Sequence, residues 1–210
     1  AKRITAVAYE LLADDKQRCP VLNVISEIEG TASITIASEL LSNTQGGKGI
    51  LLGGNRRFTT EVVIIGAGNA GTVATRAAMA LGASVKVFDD DINKLRTIQQ
   101  VLGQGLFTST FHPNVLQNAF RSADVVIGAM RYINTRHRYI IAEDMIRIMK
   151  RGALVIDLRI NQEGVSRRPV ASVLPIRLFS NSTAYCIIAG RTSVTVWRDH
   201  FDGTEQYLRP

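Results

Sequence analysis

The chain has 210 residues, 46% hydrophobic and 20% charged, with 17 Gly, 5 Pro and a formal net charge of +7. That is the length of one large domain, or of one domain with a small appendage, and the composition of an ordinary soluble globular protein. No run reaches the roughly 18 apolar residues of a membrane span, so no membrane association is expected; the basic residues are scattered, clustering only at Arg56-Arg57, Arg136–Arg138 and Arg167-Arg168 without interleaved aromatics, which argues against nucleic acid as a partner.

The first residues, Ala1-Lys2-Arg3-Ile4-Thr5, include neither an initiator Met nor the apolar run of a secretion signal. The sequence therefore reads as starting partway into a longer protein of the cytoplasm. Cys19 and Cys186 fit no metal-ligand or redox spacing and are expected to be thiols in a reducing compartment. Ser26-Glu27-Ile28-Glu29 has the form of a capping box and predicts a helix running from there to about Leu41. The glycine-dense Gln45–Gly54 reads as a loop before the first strand.

From Glu61 the chain alternates between short apolar runs and amphipathic stretches. The runs are Val62–Ile65, Val85–Phe88, Val125–Ile127 and Leu154–Ile156, with a weaker strand at Leu106–Thr108. Such runs suit strands covered on both faces of a parallel sheet. Helices are predicted over Gly71–Leu81 (ended by Gly82), Asp91–Leu102 (ended by Gly103), from Pro113 through Phe120, and over Ala142–Lys150, with Gly152 following. The fold class is therefore α/β, a Rossmann doubly wound parallel sheet with helices on both faces. Beyond Gly164 only a strand near Tyr185–Ile188 is placed.

Gly66-Ala67-Gly68-Asn69-Ala70-Gly71 has the G-x-G-x-x-G spacing, after a strand and before a helix. In that setting Gly66 permits a tight turn, Gly68 lets the backbone approach a pyrophosphate, and Gly71 lets helix and strand pack closely. The anion meets unpaired amides at a helix N-terminus, where the dipole favours it. The competing reading is a glycine turn with no ligand. Asp89 follows 18 residues after Gly71, where an acid accepts hydrogen bonds from the ribose of NAD. Asp90 and Asp91 add negative charge that disfavours NADP, although Asp91 is also placed to cap the next helix. NAD is the expected cofactor; no metal site is expected.

At these residues the chain resembles the alanine dehydrogenase/pyridine nucleotide transhydrogenase family, in its NAD-binding domain. The matching stretches are Ile4–Glu10, Ser26–Gly30, Gly46–Gly54, Val62–Gly68, Asp124–Ala129, Val155–Asp157 and Ile160–Gln162, within about Lys2 to Arg168. The resemblance implies a discontinuous architecture in which this domain interrupts a substrate domain. On that basis residues 1–20 are a remnant of the substrate domain or a linker, 21–195 the NAD-binding domain and 196–210 a tail. It also implies oxidative deamination of L-alanine to pyruvate and ammonia, with NAD as hydride acceptor, in a homo-oligomer.

By the same resemblance Ser26 contacts the cofactor phosphates, Lys94 lies with Asp89 at the adenosine ribose, and Gly128-Ala129-Met130-Arg131 passes the nicotinamide. The substrate-binding Arg and Lys and the proton-transferring His of the family belong to a part not in this sequence, and His112, His137 and His200 match none of them. Asn161 stands where the family has an aspartate that handles protons at the substrate. An amide hydrogen-bonds but exchanges no proton at neutral pH, and losing one general acid or base costs roughly 10²–10⁴-fold in rate. Glu163-Gly164 replace a Gly-Gly pair, and after Arg168 the chain diverges. Two functions therefore stand side by side: a domain of an alanine dehydrogenase-like oxidoreductase, and a catalytically silent NAD-binding module.

Overall fold

Runs of β-branched residues bounded by glycine or aspartate form the centre of the molecule, seen in a computed structural model. It describes residues 12–16, 18–42, 48–55, 58–103, 105–130, 143–158, 185–189 and 194–197. The strands are β3 (Glu61–Ile65), β4 (Ser84–Phe88), β5 (Phe107–Ser109), β6 (Val125–Gly128), β7 (Leu154–Asp157), β8 (Tyr185–Ala189) and β9 (Val194–Trp197). They form one sheet in the order β5-β4-β3-β6-β7-β8-β9, parallel through β8, with β9 antiparallel at the edge. The chain winds outward from β3 to β5, then returns to lie beside β3 as β6. The strand order reverses between β3 and β6, and ligands of such sheets bind in the crevice that this reversal opens.

Alternation along the strands feeds two cores. Val62, Ile64, Val87, Ile127 and Ile156 enter one, with α1 (Pro20–Leu41), α2 (Asn69–Ala80) and α3 (Ile92–Leu102). Val63, Ile65, Phe88, Val126 and Val155 enter the other, with α4 (Pro113–Ser122) and α5 (Glu143–Arg147). Helices therefore cover both faces, as the uninterrupted apolar runs require.

The capping-box reading of Ser26 is corrected. α1 begins at Pro20, with Cys19 as N-cap and proline in the first turn, so Ser26 lies two turns inside the helix and is 2% exposed. Proline's fixed φ and missing N–H suit a first helical position and start the helix without a side-chain cap. The buried row Leu22, Ser26, Gly30, Ile34, Ala37 and Leu41 turns toward α2 and the sheet. A methyl on Gly30 would fall on the Ala70 carbonyl oxygen and lie 3.1 Å from the Ala74 nitrogen. The two helices thus touch backbone to backbone.

The expected loop before the first strand ends differently, in a small antiparallel pair, β1 (Gly54–Asn55) and β2 (Phe58–Thr59). The helix expected over Ala142–Lys150 is shorter, Glu143–Arg147; the chain beyond it turns, with Met149 N donating to the Ile146 carbonyl at 3.1 Å, and the Lys150 ammonium reaches Asp124 Oδ2 at 3.0 Å. Gly82, Gly103 and Gly152 take φ of +86°, +106° and +72°, positive values that favour glycine where the chain turns away from a helix or turn. Among the described residues, no helix is long and apolar enough to cross a membrane.

Candidate functional site at the carboxyl edge of the sheet

β3 delivers the glycine loop to the point where the strand order reverses. Gly66 sits at φ +112°, and its amide donates to the Phe88 carbonyl at 2.6 Å. A Cβ there would approach Met130 N to 2.7 Å and the Ala129 carbonyl carbon to 2.8 Å. Gly66 is therefore what brings the loop after β3 against the segment after β6, and with it Ala129 and Met130. Ala129 N in turn donates to the Ile65 carbonyl at 2.8 Å. Gly71 is needed for an internal reason, since a methyl on it would collide with the Gly66 carbonyl oxygen.

Gly68 differs from both. Its φ of −75° is open to any residue, and nothing lies within 4 Å of where its Cβ would be. The protein itself has no use for the missing side chain. The space beside Gly68 lies at the start of α2, which has no side-chain cap. Amides at such a start await an acceptor. Asn69 is exposed at the first helical position and Ala70 is buried beneath it. The pyrophosphate of a dinucleotide fits this cradle by shape and by charge.

Asp89 lies just past the end of β4 and is 1% exposed. Its Oδ2 accepts from Ala67 N at 2.7 Å and its Oδ1 from Asp91 N at 2.9 Å. Lys94 Nζ stands 3.8 Å from Oδ1 on a half-exposed side chain. Two of the expected ribose residues are thus together, and Asp89 has a further role in holding the loop that its position in the sequence did not reveal. Asp91 is the N-cap of α3, its carboxylate accepting from Asn93 N at 2.8 Å. Asp90 is raised above the usual carboxylate range, first by its hydrogen bond with the Asp89 carboxyl and then by burial and by the Asp89 charge.

Ser26 reaches the same region through α1. Gly30 lies against Ala70 and Ala74 near the start of α2, whereas Leu41 O accepts from Ile50 N and Gly53 abuts Leu81 near its end. α1 therefore runs in the direction of α2. Ser26, one turn before Gly30 on the same face, falls level with the glycine loop. Arg131 and Asn161 lie outside the described residues. Asp157 was not singled out in the sequence: it ends β7, is 2% exposed, and stands beside Gly128. Among the described residues no group of three or more His, Cys, Asp or Glu is placed to hold a metal ion.

At the opposite, amino edge of the sheet lies a second polar group. Asp124 takes Lys48 at 3.3 Å on Oδ1, and Lys150 at 3.0 Å and the Glu61 amide at 3.1 Å on Oδ2. Lys86 bridges Glu61 Oε2 at 2.9 Å and Ser122 Oγ at 3.1 Å. The glutamate sits below its usual pKa: burial works to raise it, but the Ser122 hydroxyl and the Lys86 ammonium together outweigh that.

A parallel sheet reversing at β3 and β6, with a glycine turn opening onto a helix N-terminus, defines a Rossmann domain, the class of fold that takes dinucleotides. The family model for the alanine dehydrogenase/PNT C-terminal domain matches residues 33–193. Alanine dehydrogenase 2 of Staphylococcus aureus is 33% identical over 165 residues, covering 78% of this chain and 44% of that protein. Among solved structures, an L-alanine dehydrogenase superposes with a TM-score of 0.69 at 29% identity, over 74% of this chain and 44% of the other. A transhydrogenase from Sinorhizobium meliloti shares the fold, with a TM-score of 0.56 at 20% identity over 72% of this chain and 45% of the other. The chain belongs to the alanine dehydrogenase/PNT C-terminal domain family, which is NAD-binding. It spans less than half the length of the alanine dehydrogenases it matches.

Proposed function

We propose that residues 21–195 form the NAD-holding domain of an alanine dehydrogenase-like oxidoreductase, self-associating and working in the cytoplasm on L-alanine and pyruvate. The observation that carries this reading is the empty space at Gly68. A glycine that neither backbone nor packing demands, at an uncapped helix start, is explained by a ligand that must come close. Gly66, Gly68, Asn69, Ala70 and Gly71 surround the pyrophosphate, with Ser26 beside it. Asp89 and Lys94 face the adenosine ribose, and Ala129, Met130 and Arg131 line the path toward the nicotinamide. When bound, NAD supplies the hydride acceptor. The chain's own part is to fix that acceptor along the sheet edge and to shield it from water.

The second reading, a catalytically silent NAD-binding module, is favoured by Asn161, which offers no exchangeable proton where the family has a carboxylate. Thermal denaturation with and without NAD tests the shared part: saturation at 100 times the dissociation constant adds about 2.7 kcal/mol of stability. An unchanged melting temperature at millimolar NAD and NADH overturns both readings. NADH formation from L-alanine separates them. The chain as given is expected to show no turnover. In a protein carrying the substrate domain, Asn161→Asp is expected to raise the rate at least tenfold if the amide is what limits it.

A further inference from the structure

We propose that the amino edge of the sheet is a docking surface for an acidic segment of a partner protein. The sequence scatters its basic residues, but the fold gathers several of them here. Lys48 lies before β1, Lys86 on β4, Arg121 in the last turn of α4, and Lys150 and Arg151 in the turn before β7. Lys48 and Lys150 meet on Asp124, Lys86 pairs with Glu61, and the Glu61 amide donates to Asp124. Arg121 adjoins Ser122, which accepts from Lys86, and Arg151 follows Lys150. Cations therefore outnumber carboxylates along this rim. Arg121 and Arg151 are exposed and, among the described residues, make no hydrogen bond or ion pair. The α4 dipole favours a cation at Arg121 but engages none of its donors. Arg151 occupies the corner of a tight turn, closed by Ala153 N on the Lys150 carbonyl at 3.0 Å with Gly152 at φ +72°. That turn needs no cation at its corner.

What the rim offers decides the chemistry of the partner. α2, α3 and α4 start at the opposite edge and end here, so the rim presents helix carbonyls and not free helix amides. Two carboxylates stand among the cations, and the Glu61 side chain is 29% exposed. A phosphodiester chain or a bare phosphate brings acceptors only, and these carboxylates and carbonyls repel it. A polypeptide brings amide donors for Glu61 together with side-chain carboxylates for the arginines, whose planar forks pair with them at two points. β4, β3, β6 and β7 are consecutive in the sheet, so their starts span about 14 Å, the length of about four extended residues. Exposed pairs each contribute little, so the docking is weak and falls with salt.

NMR titration of the full chain with an acetylated peptide of alternating Glu and Ala tests this surface. The Gln counterpart of the peptide, a short single-stranded RNA and phosphatidylserine vesicles serve as comparisons. The Glu peptide is expected to shift the amides of Arg121, Ser122, Arg151 and Gly152 and to leave Gly68 unmoved, while the Gln peptide shifts none. Its affinity should fall roughly tenfold in the protein carrying both Arg121→Gln and Arg151→Gln. It should fall by a similar factor between about 0.05 and about 0.5 M salt. Saturating NAD should leave it unchanged, so failure of the cofactor site leaves this surface standing. No shift at millimolar peptide, or shifts spread over the whole surface, overturns the proposal. Tighter binding of the RNA or the vesicles at this rim overturns it too. Should the doubly substituted protein not fold, the shift map and salt dependence of the unaltered protein decide, and affinity that persists at high salt overturns the proposal.

Discussion

The Ala67 amide donates to Asp89 Oδ2 at 2.7 Å, so the acid placed to meet the ribose is also the residue that holds the glycine loop to the end of the neighbouring strand. The loop is thereby shaped before any cofactor arrives. Asp89→Ala leaves the Ala67 and Asp91 amides without this acceptor, at a cost of about 1–3 kcal/mol for a buried unsatisfied group. Denaturant unfolding is expected to show that loss. Asp89→Asn, which keeps an acceptor, should cost less stability and still weaken NAD. Equal stability of Asp89→Ala and the unaltered protein would show that the bond contributes nothing.

Gly68 and Gly71 make opposite predictions though they belong to one motif. Gly68→Ala is expected to leave stability within about 0.5 kcal/mol, as for a site without packing contacts, while NAD affinity falls at least tenfold. Gly71→Ala drives a methyl into the Gly66 carbonyl and is expected to cost about 1–3 kcal/mol or more through overpacking. Melting curves and calorimetry on the two variants separate the roles. A Gly68→Ala protein that binds NAD normally would remove the main support for the site.

Asp90 makes a pH prediction. Its pKa in the folded protein lies above the ordinary 3.8, because the Asp89 carboxyl shares a hydrogen bond with it and repels its charge. The folded state therefore takes up a proton at a pH where the unfolded chain has none at this group, and stability gains as pH falls through the raised value. Replacing Asp90 by Asn should stabilise the protein at neutral pH, and the advantage should shrink on acidification toward pH 3.8. An advantage that is constant with pH would assign it to something other than charge.

Glu61 has the opposite sign. Its pKa is held below the ordinary 4.5 by Ser122 and Lys86 despite the contrary effect of burial. The contribution is fully present above pH 4.5 and is lost as pH falls through the lowered value. Lys86→Met is expected to lower stability at pH 7 and to narrow that deficit in acid. Because Lys86 and Asp124 lie at the amino edge, calorimetry should find NAD affinity unchanged in this variant. A parallel fall in affinity would mean that the two edges communicate.

Much of the sheet and of its ligand edge was legible because the signals were local. Short, mostly apolar runs of three or four residues, each closely followed by glycine or aspartate, suit strands of a covered sheet, and Gly66, Gly68 and Gly71 carry their spacing in the open. Asp91, Gly103 and Pro113 marked their helix ends correctly. What escaped depended on distance in the chain. The Asp89–Ala67 bond joins residues 22 apart and the Lys48–Asp124 pair residues 76 apart. Ser26 misled because a serine three residues before a glutamate looks the same inside a helix as at its start, and Pro20 had already begun the helix. The segment Val194–Trp197 was not read as a strand, since an edge strand needs only one paired neighbour and its pattern is correspondingly faint. Arg131 and Asn161 lie outside the described residues.

The lysine-bound Asp124 and the glycine turn stand at opposite ends of the sheet, and among the described residues no hydrogen bond or ion pair joins them. Substitutions at the rim that spare Gly71 and the Asp89–Ala67 bond are accordingly expected to leave the lysine–carboxylate pairs at the foot of the sheet in place.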